Sequence, residues 1–471
     1  MIEYLQIKEK SKGQVAYLKA TDLTKGNITK LILLYTLPLV LGNIFQTFYN
    51  AADTAIVGRF AGLEKLAAVG VTGSLSFFIF GFMYGLTGGF SIIIAQRRGA
   101  GDWPGLRKAL AHSIMLGAVL TILVTVITFP LTRPMLILMD TPEDILDYAV
   151  SYLAIIFGGT VFTAVYNLAA GTLRAIGDST SPLIFLIISS ILNIILDVVF
   201  IVPLHMDVAG AAIATIIAQG VSGVLCVWYA WKRYPELHMT KEDFKIDWSL
   251  FGQMFKLGLP MALQSSITAA GMIVLQVALN GFGSATIAGY TAAGKVESFV
   301  SMPGFALSTT MANFAGQNVG AEKYSRVRKG VRSGCLIALI WSFISSAFCA
   351  FLGVPVMKLF VTGEASMLAE SLEAGRIYLV VLSFFFIPFN ALFIFRSTLQ
   401  GIGKSIYTLI GGILEMIMRV LVAFIMPGLL GFMGVCFAGP AAWVGADIPL
   451  IIAYFYEMKK FVGLPEKAEE A

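Results

Sequence analysis

Long apolar runs recur twelve times along this chain, near residues 31–58, 66–95, 108–131, 147–170, 181–204, 208–231, 257–281, 285–314, 333–361, 375–396, 405–428 and 432–456. A hydrocarbon layer about 30 Å thick is crossed by roughly 20 helical residues. Lipid offers the backbone no hydrogen-bond partners, so only helices or closed barrels span it. None of the runs alternates as a strand would. The predicted fold class is therefore an all-α integral membrane protein with twelve transmembrane helices. Composition agrees, at 57% hydrophobic and 13% charged, where soluble domains hold roughly 45–50% and about 25%.

The basic residues set the orientation. With a cytoplasmic N-terminus, the inner segments are 1–30, 96–108, 171–180, 232–256, 315–332, 396–404 and the tail, and they hold 26 of the 33 Lys and Arg. The outer segments hold Arg59, Lys65, Arg133, Lys358 and Arg376, while Lys295 and Arg419 fall inside apolar runs. Such an excess is the positive-inside signature, and it places both termini in the cytoplasm of a cell-membrane protein. It also accounts for the net charge of +5 without a nucleic-acid partner. The polar first 30 residues lack the apolar core of a cleavable signal peptide.

The two halves repeat. "LPLVLGNIFQ" (37–46) answers "LPMALQSSIT" (259–268), "AQRRGAGDWPGLRK" (95–108) answers "GQNVGAEKYSRVRK" (316–329), and "TLRAIGDS" (172–179) answers "TLQGIGKS" (398–405). Six helices per half is an even number, so both halves enter from one side, a parallel repeat of the kind transporters use. The predicted organisation is a cytoplasmic segment 1–30, an N-lobe 31–231 with six helices, a linker 232–256, a C-lobe 257–456 with six more, and a tail 457–471. Cys226, Cys335, Cys349 and Cys436 lie far apart in apolar runs and read as small core fillers.

"SSILNIILDVVFIVPL" (189–204) is hydrocarbon interrupted by Asn193 and Asp197. A carboxylate at mid-bilayer costs about 2.5–3.5 kcal/mol on insertion scales. The two residues are spaced i, i+4 and share one helix face. Carried across the repeat, Asp53 falls opposite Leu275 and Asp197 among Leu421, Val422 and Ala423. The scaffold therefore does not require these acids. In the second half Glu415 and Arg419 are again i, i+4 and read as an internal ion pair, while Lys295 and Glu297 share the eighth helix. Pro38, echoed by Pro260, removes a backbone bond from the first helix and favours a kink.

Four strings carry a resemblance: "NAADTAIVGR" ending the first helix, "IAQRRGAGD" after the second, "GTLRAIGDSTSP" after the fourth and "NIILDVVFI" in the fifth. In that order, with the repeat, the chain resembles the multidrug and toxic compound extrusion (MATE) family, and within it the DinF-like branch, over nearly its whole length. The resemblance implies two six-helix lobes in a V around a central cavity, and monomeric efflux of amphiphilic, often cationic organic compounds in exchange for Na⁺ or H⁺, with no other cofactor. It also implies a cation site on the first, fifth and sixth helices, matched here by Asp53, Asn193, Asp197 and Thr215. These supply the hard oxygen ligands that hard cations take. Phe45, Phe48, Tyr49, Glu297 and Arg419 are candidates for the substrate cavity, the rings because aromatic faces attract cations. Pro38 is the candidate hinge. Other branches of the family place acids on the seventh and tenth helices; "LPMALQSSITAAGMIVLQVAL" and "IYLVVLSFFFIPFNALFIF" contain none.

Two rival readings remain. A lipid-linked precursor flippase of the same superfamily would line its cavity with several cations, and only Lys295 and Arg419 are available. An intramembrane aspartyl protease would need paired aspartates; "AIGDS" (175–179) is one glycine short of the GxGD pattern, and Asp178 falls at a cytoplasmic loop.

Overall fold

The computed structural model describes residues 20–361 and 365–467. Sixteen α-helices follow in order: α1 (Ile28–Ile56), α2 (Leu63–Ala100), α3 (Trp103–Leu138), α4 (Glu143–Gly158), α5 (Thr160–Ile176), α6 (Thr180–Ile201), α7 (Asp207–Arg233), α8 (Trp248–Leu279), α9 (Ser284–Gly320), α10 (Tyr324–Met357), α11 (Ala365–Ser383), α12 (Phe386–Gly401), α13 (Ser405–Ile425), the short α14 (Pro427–Leu430) and α15 (Phe432–Cys436), and α16 (Ala438–Lys460). α4 with α5, and α11 with α12, each make one bent span, at 46° and 55°. Twelve crossings result. α9 is the least apolar of them and falls outside the group recognisable by length and hydropathy alone, because it carries Lys295, Glu297 and several hydroxyl and amide residues.

Helix starts are fixed by local chemistry. Asn27 accepts from the Lys30 amide at 3.0 Å, Asp102 from Gly105 at 2.8 Å, and Asp247 from Ser249 at 3.0 Å. Each satisfies an amide that the first helical turn leaves without a partner. Between α7 and α8 the chain runs only from 234 to 247, shorter than the expected linker, and a Thr240–Asp243 capping box folds it. It is pinned to α3, where His112 Nε2 accepts from the Asp247 amide at 3.0 Å and Lys108 pairs with Asp247 at 3.2 Å. The Leu250 amide, the Lys108 ammonium and the Ser249 amide hold the Asp247 carboxyl below the usual carboxylate range.

The duplication is visible in the backbone. Left-handed residues fall at repeat-related places: Gly62 and Gly283, Gly101 and Glu322, Gly177 and Gly403, His205 and Gly431. The bend at Gly159 has its counterpart at Phe385. Helix capping and helix breaking were copied with the sequence.

The lobes meet along a seam at the face rich in Lys and Arg. α2 crosses α8 where a Cβ on Gly89 would lie 2.4 Å from Gly258 Cα, and one on Gly85 2.6 Å from the Met261 carbonyl. Small residues permit this backbone approach. Beyond it the seam has a local two-fold character. A Cβ on Gly99 would sit 1.8 Å from the Gln317 carbonyl, and one on Gly320 1.8 Å from the Gln96 carbonyl. Gln96 Nε2 donates to the carbonyl of Gly401 at 2.9 Å, and Gln317 Nε2 to that of Ala175 at 2.8 Å. Gln96 and Gln317 are equivalent in the repeat, as are Ala175 and Gly401, so each lobe offers the other the same bond. Residues 21–26 lie across the joint, with Thr21 donating to Gly177 and Leu23 to Gln317 Oε1. Towards the opposite face contact thins: a Cβ on Gly81 would lie 3.8 Å from Ser265, and at Gly70 or Gly73 it would meet nothing. The bundles form a V that opens away from the basic face.

Pro38 lies within α1, which continues as one helix from Ile28 to Ile56. The chain tolerates the lost bond because flanking turns stay paired and Thr36 reaches across the seam to Thr310 at 2.8 Å.

A side chain at Gly99 or Gly320 forces the seam apart. Gly99→Val and Gly320→Val should each lengthen the distance between spin labels at Arg97 and Glu322, at a cost on the order of 1–3 kcal/mol in stability. Gly73→Val, which faces open space, should change neither.

Candidate functional site

In the N-lobe the fold gathers four of the expected residues. Asn193 and Asp197 on α6 are fully buried, Asp53 near the outer end of α1 is 9% exposed, and Thr215 faces them from α7. The carboxyl groups of Asp53 and Asp197 are close enough to interact electrostatically. Tyr49, expected to line the substrate cavity, instead belongs to this cluster: its hydroxyl donates to Thr215 Oγ1 at 3.4 Å. Tyr152 on α4 approaches the same acids and packs beside Val57, Ile201 and Ala211. Sequence reasoning missed it, because a tyrosine in "SYLAIIF" has no signal to separate it from a core ring.

Polar atoms here lack partners. Asp53 Oδ1, both side-chain polar atoms of Asn193 and both carboxylate oxygens of Asp197 are buried without a hydrogen bond among the described residues. Buried polar groups are bonded in the great majority of cases, and leaving one unmade costs about 1–3 kcal/mol. Four oxygens and an amide, converging from two helices with Thr215 beside them, suit a hard monovalent cation or a proton. No group of three or more His, Cys, Asp or Glu with metal-holding geometry occurs among the described residues.

The C-lobe answers with different contents. The places equivalent to Asp53 and Asp197 are Leu275 and Ala423, and these pack together with Leu279, Val435 and Ala438 in one apolar cluster. The place equivalent to Asn193 is Arg419. The expected Glu415–Arg419 pair forms at 2.9 Å, and Arg396 joins it from α12 at 2.6 Å. Arg396 was placed in a cytoplasmic loop by its position after an apolar run; α12 carries it inward and it is buried. Asp447 on α16, unremarked in the sequence, is buried close to Arg396 and Glu415. Arg419 also donates to Met272 Sδ at 3.1 Å. It is closed inside the lobe and does not line the cavity as expected.

Glu297 likewise turns into the C-lobe, accepting from the Tyr378 hydroxyl at 2.8 Å. Lys295, two residues earlier, points elsewhere and is exposed. Phe45 and Phe48 are exposed on α1, and Phe48 meets Phe299 of α9 edge-on at 6.3 Å across the lobes. Asp178 is not poised for catalysis: it accepts from the Ser181 amide and hydroxyl at 2.9 and 2.6 Å and from Tyr234 at 3.0 Å, bracing the start of α6.

A duplicated twelve-span bundle with ionisable groups buried inside both halves matches the class of transporters built from parallel repeats. Comparison with known families makes this specific. The MatE family model matches residues 38–199 and again 260–425, once in each half. The chain belongs to that family, the multidrug and toxic compound extrusion transporters, which are not enzymes. It is 27% identical over 397 residues to a probable multidrug resistance protein, YpnP of Bacillus subtilis (strain 168), covering 83% of this chain and 87% of that protein. A crystal structure of MATE in complex with MaL6 superposes with a TM-score of 0.86 at 25% identity, over 95% of this chain and 99% of that one. A multidrug resistance MATE transporter of the MOP superfamily, in its outward-facing conformation, gives 0.84 at 26% identity, over 96% and 100%.

Replacing the unpartnered acids by their C-lobe counterparts, Asp53→Leu with Asp197→Ala, should raise the melting temperature, because about 1–3 kcal/mol is recovered for each unmade bond. Glu415→Ala should lower it, since removing one member of a buried ion pair typically costs about 3–5 kcal/mol. Thermal unfolding of the purified variants in one detergent measures both.

Proposed function

We propose that this transporter exports amphiphilic organic compounds by alternating access, driven by inward movement of Na⁺ or H⁺ through Asp53, Asn193, Asp197 and Thr215. The observation that carries the reading is the set of buried, unpartnered polar atoms at these residues, in a lobe whose duplicate fills the same place with aliphatic side chains. A site that costs stability and is not required by the scaffold has a reason outside folding. The protein works as a monomer in the cell membrane, with the basic face and both termini in the cytoplasm.

The V open away from the basic face corresponds to the outward-facing state, as in the solved relative of that description. In this state the cation enters among the acids and Asn193. Its charge is offset by carboxylate, and Thr215 and Tyr49 supply hydroxyl oxygens. Neutralising Asp53 relieves repulsion between the acids and changes how α1 packs against α6. Pro38, which leaves the Leu34 carbonyl without its helical donor, is where α1 would bend as the lobes exchange. A ligand shifts such an equilibrium only by its difference in affinity for the two states.

A flippase for polyanionic lipid precursors is less well supported, because Arg419 is locked in its ion triad and, among the described residues well inside the spans, Lys295 alone is left as an exposed cation for such a head group.

Asp197→Asn keeps the shape of the side chain and removes the charge. In proteoliposomes loaded with norfloxacin, efflux driven by an imposed Na⁺ or pH gradient should fall about a hundredfold or more in this variant, in line with the cost of losing a buried charged ligand. Asp53→Asn should behave alike. Efflux at the parental rate in both variants refutes the assignment.

A further inference from the structure

Among the described residues, the ionisable side chains well inside the twelve spans divide into two groups. Asp53, Asp197, Arg396, Glu415, Arg419 and Asp447 are buried within a lobe, and Glu297 is held by Tyr378. Lys295 stands apart: it is exposed and takes part in none of the ion pairs formed by the described residues.

Its position follows from the helix. Residues 295, 299 and 302 share one face of α9 by i, i+4 and i+7 spacing. That face fronts α1: the Met302 carbonyl accepts from Asn43 Nδ2 at 3.4 Å, and one turn outward Phe299 meets Phe48 at 6.3 Å. Lys295 is a further turn out, where the α1–α9 seam opens. Phe48 and Phe299 are themselves 60% and 47% exposed. A lysine cannot rest in hydrocarbon, and an ammonium at this depth belongs in a water-filled cleft. Glu297, spaced i, i+2, cannot neutralise it, because the two residues project to different sides of the helix. The mouth of the cleft therefore carries one accessible cation above a pair of aromatic rings, with the carboxylates withdrawn into the lobes.

From this we infer the substrate class: an aromatic amphiphile bearing a carboxylate or phosphate, its anionic group held by Lys295 and its flat ring seated on Phe48 and Phe299. The inference rests on the export reading above and narrows it, since an organic cation would be repelled at the same place. A ring pair contributed by both lobes also makes the site sensitive to their separation. It is complete while the α1–α9 contact holds and divided when that contact breaks.

The test is equilibrium binding, which is readable whether or not the protein pumps. Fluorescence anisotropy of carboxyfluorescein and of ethidium is titrated with purified protein in dodecyl maltoside. Carboxyfluorescein should bind the parent more tightly than ethidium. Lys295→Gln should raise its Kd about tenfold, the worth of one charge-assisted hydrogen bond, with the ethidium Kd unchanged. Lys295→Arg should retain anion binding, and Lys295→Glu should reverse the preference. Equal losses for both probes, or an unchanged ratio in Lys295→Gln, overturns the inference. So does displacement of carboxyfluorescein by a few equivalents of phosphatidylglycerol, which would assign Lys295 to a lipid head group. Failure of the export reading shows separately, as gradient-independent efflux with the binding preference intact.

Discussion

Hydrocarbon offers an ionised side chain neither water nor a counter-charge, so every charge inside the spans has to be housed by protein or by a wet cleft. In the C-lobe the answer is mostly pairing, although Arg396 Nε, Arg419 Nε and Asp447 Oδ1 find no hydrogen-bond partner among the described residues. Glu415 gives one oxygen to Arg396 and the other to Arg419, at 2.6 and 2.9 Å, and Glu297 takes the Tyr378 hydroxyl. These bonds cross between α12 and α13 and between α9 and α11, and tie the lobe together from inside. In the N-lobe the same constraint is left unmet at Asp53, Asn193 and Asp197. Proteins break the rule of polar satisfaction chiefly where function needs it broken. The carboxylates of Glu415 and Glu297 are paired where those of Asp53 and Asp197 are not, although both sets lie inside a lobe.

The duplication sharpens that contrast by holding geometry nearly constant. α6 and α13 occupy equivalent places, yet one carries Asn193 and Asp197 where the other carries Arg419 and Ala423. α1 and α8 are likewise equivalent, with Asp53 against Leu275. The C-lobe versions pack well: Leu275, Ala423 and Val435 are each 5% exposed or less. The unpaired Asp53 and Asp197 lie in one lobe and the ion triad in the other. The two lobes therefore differ in electrostatics while sharing a backbone plan.

Much of this was legible in the sequence, for reasons that differ by feature. Spans were readable because lipid enforces long apolar runs, and the repeat because capping glycines such as Gly177 and Gly403 must be kept wherever the backbone turns left-handed. Asp197 was readable because a carboxylate in "NIILDVVFI" has no cheap explanation. Arg396 was misplaced because it follows an apolar run, where a cation usually marks the membrane edge; only the inward course of α12 shows that its partner is Glu415. Asp447 and Tyr152 gave no signal, since their importance is created by helices distant in sequence.

The seam and the acid site are connected through α1. This one helix bears Asp53 near its outer end and, seventeen residues earlier, Thr36, which bonds Thr310 of the other lobe at 2.8 Å. At 1.5 Å per residue that separation is about 26 Å, nearly the thickness of the hydrocarbon. The seam itself rests on backbone contact at glycines and on the exchanged bonds of Gln96 and Gln317, each worth about 0.5–1.5 kcal/mol net. Turning a two-state equilibrium from one side to the other takes about 5.5 kcal/mol of differential binding. Satisfying the unpartnered atoms around Asp53 and Asp197 at about 1–3 kcal/mol each is a source of that order. A cation bound at one end of α1 can therefore oppose the contacts at the other without any further relay.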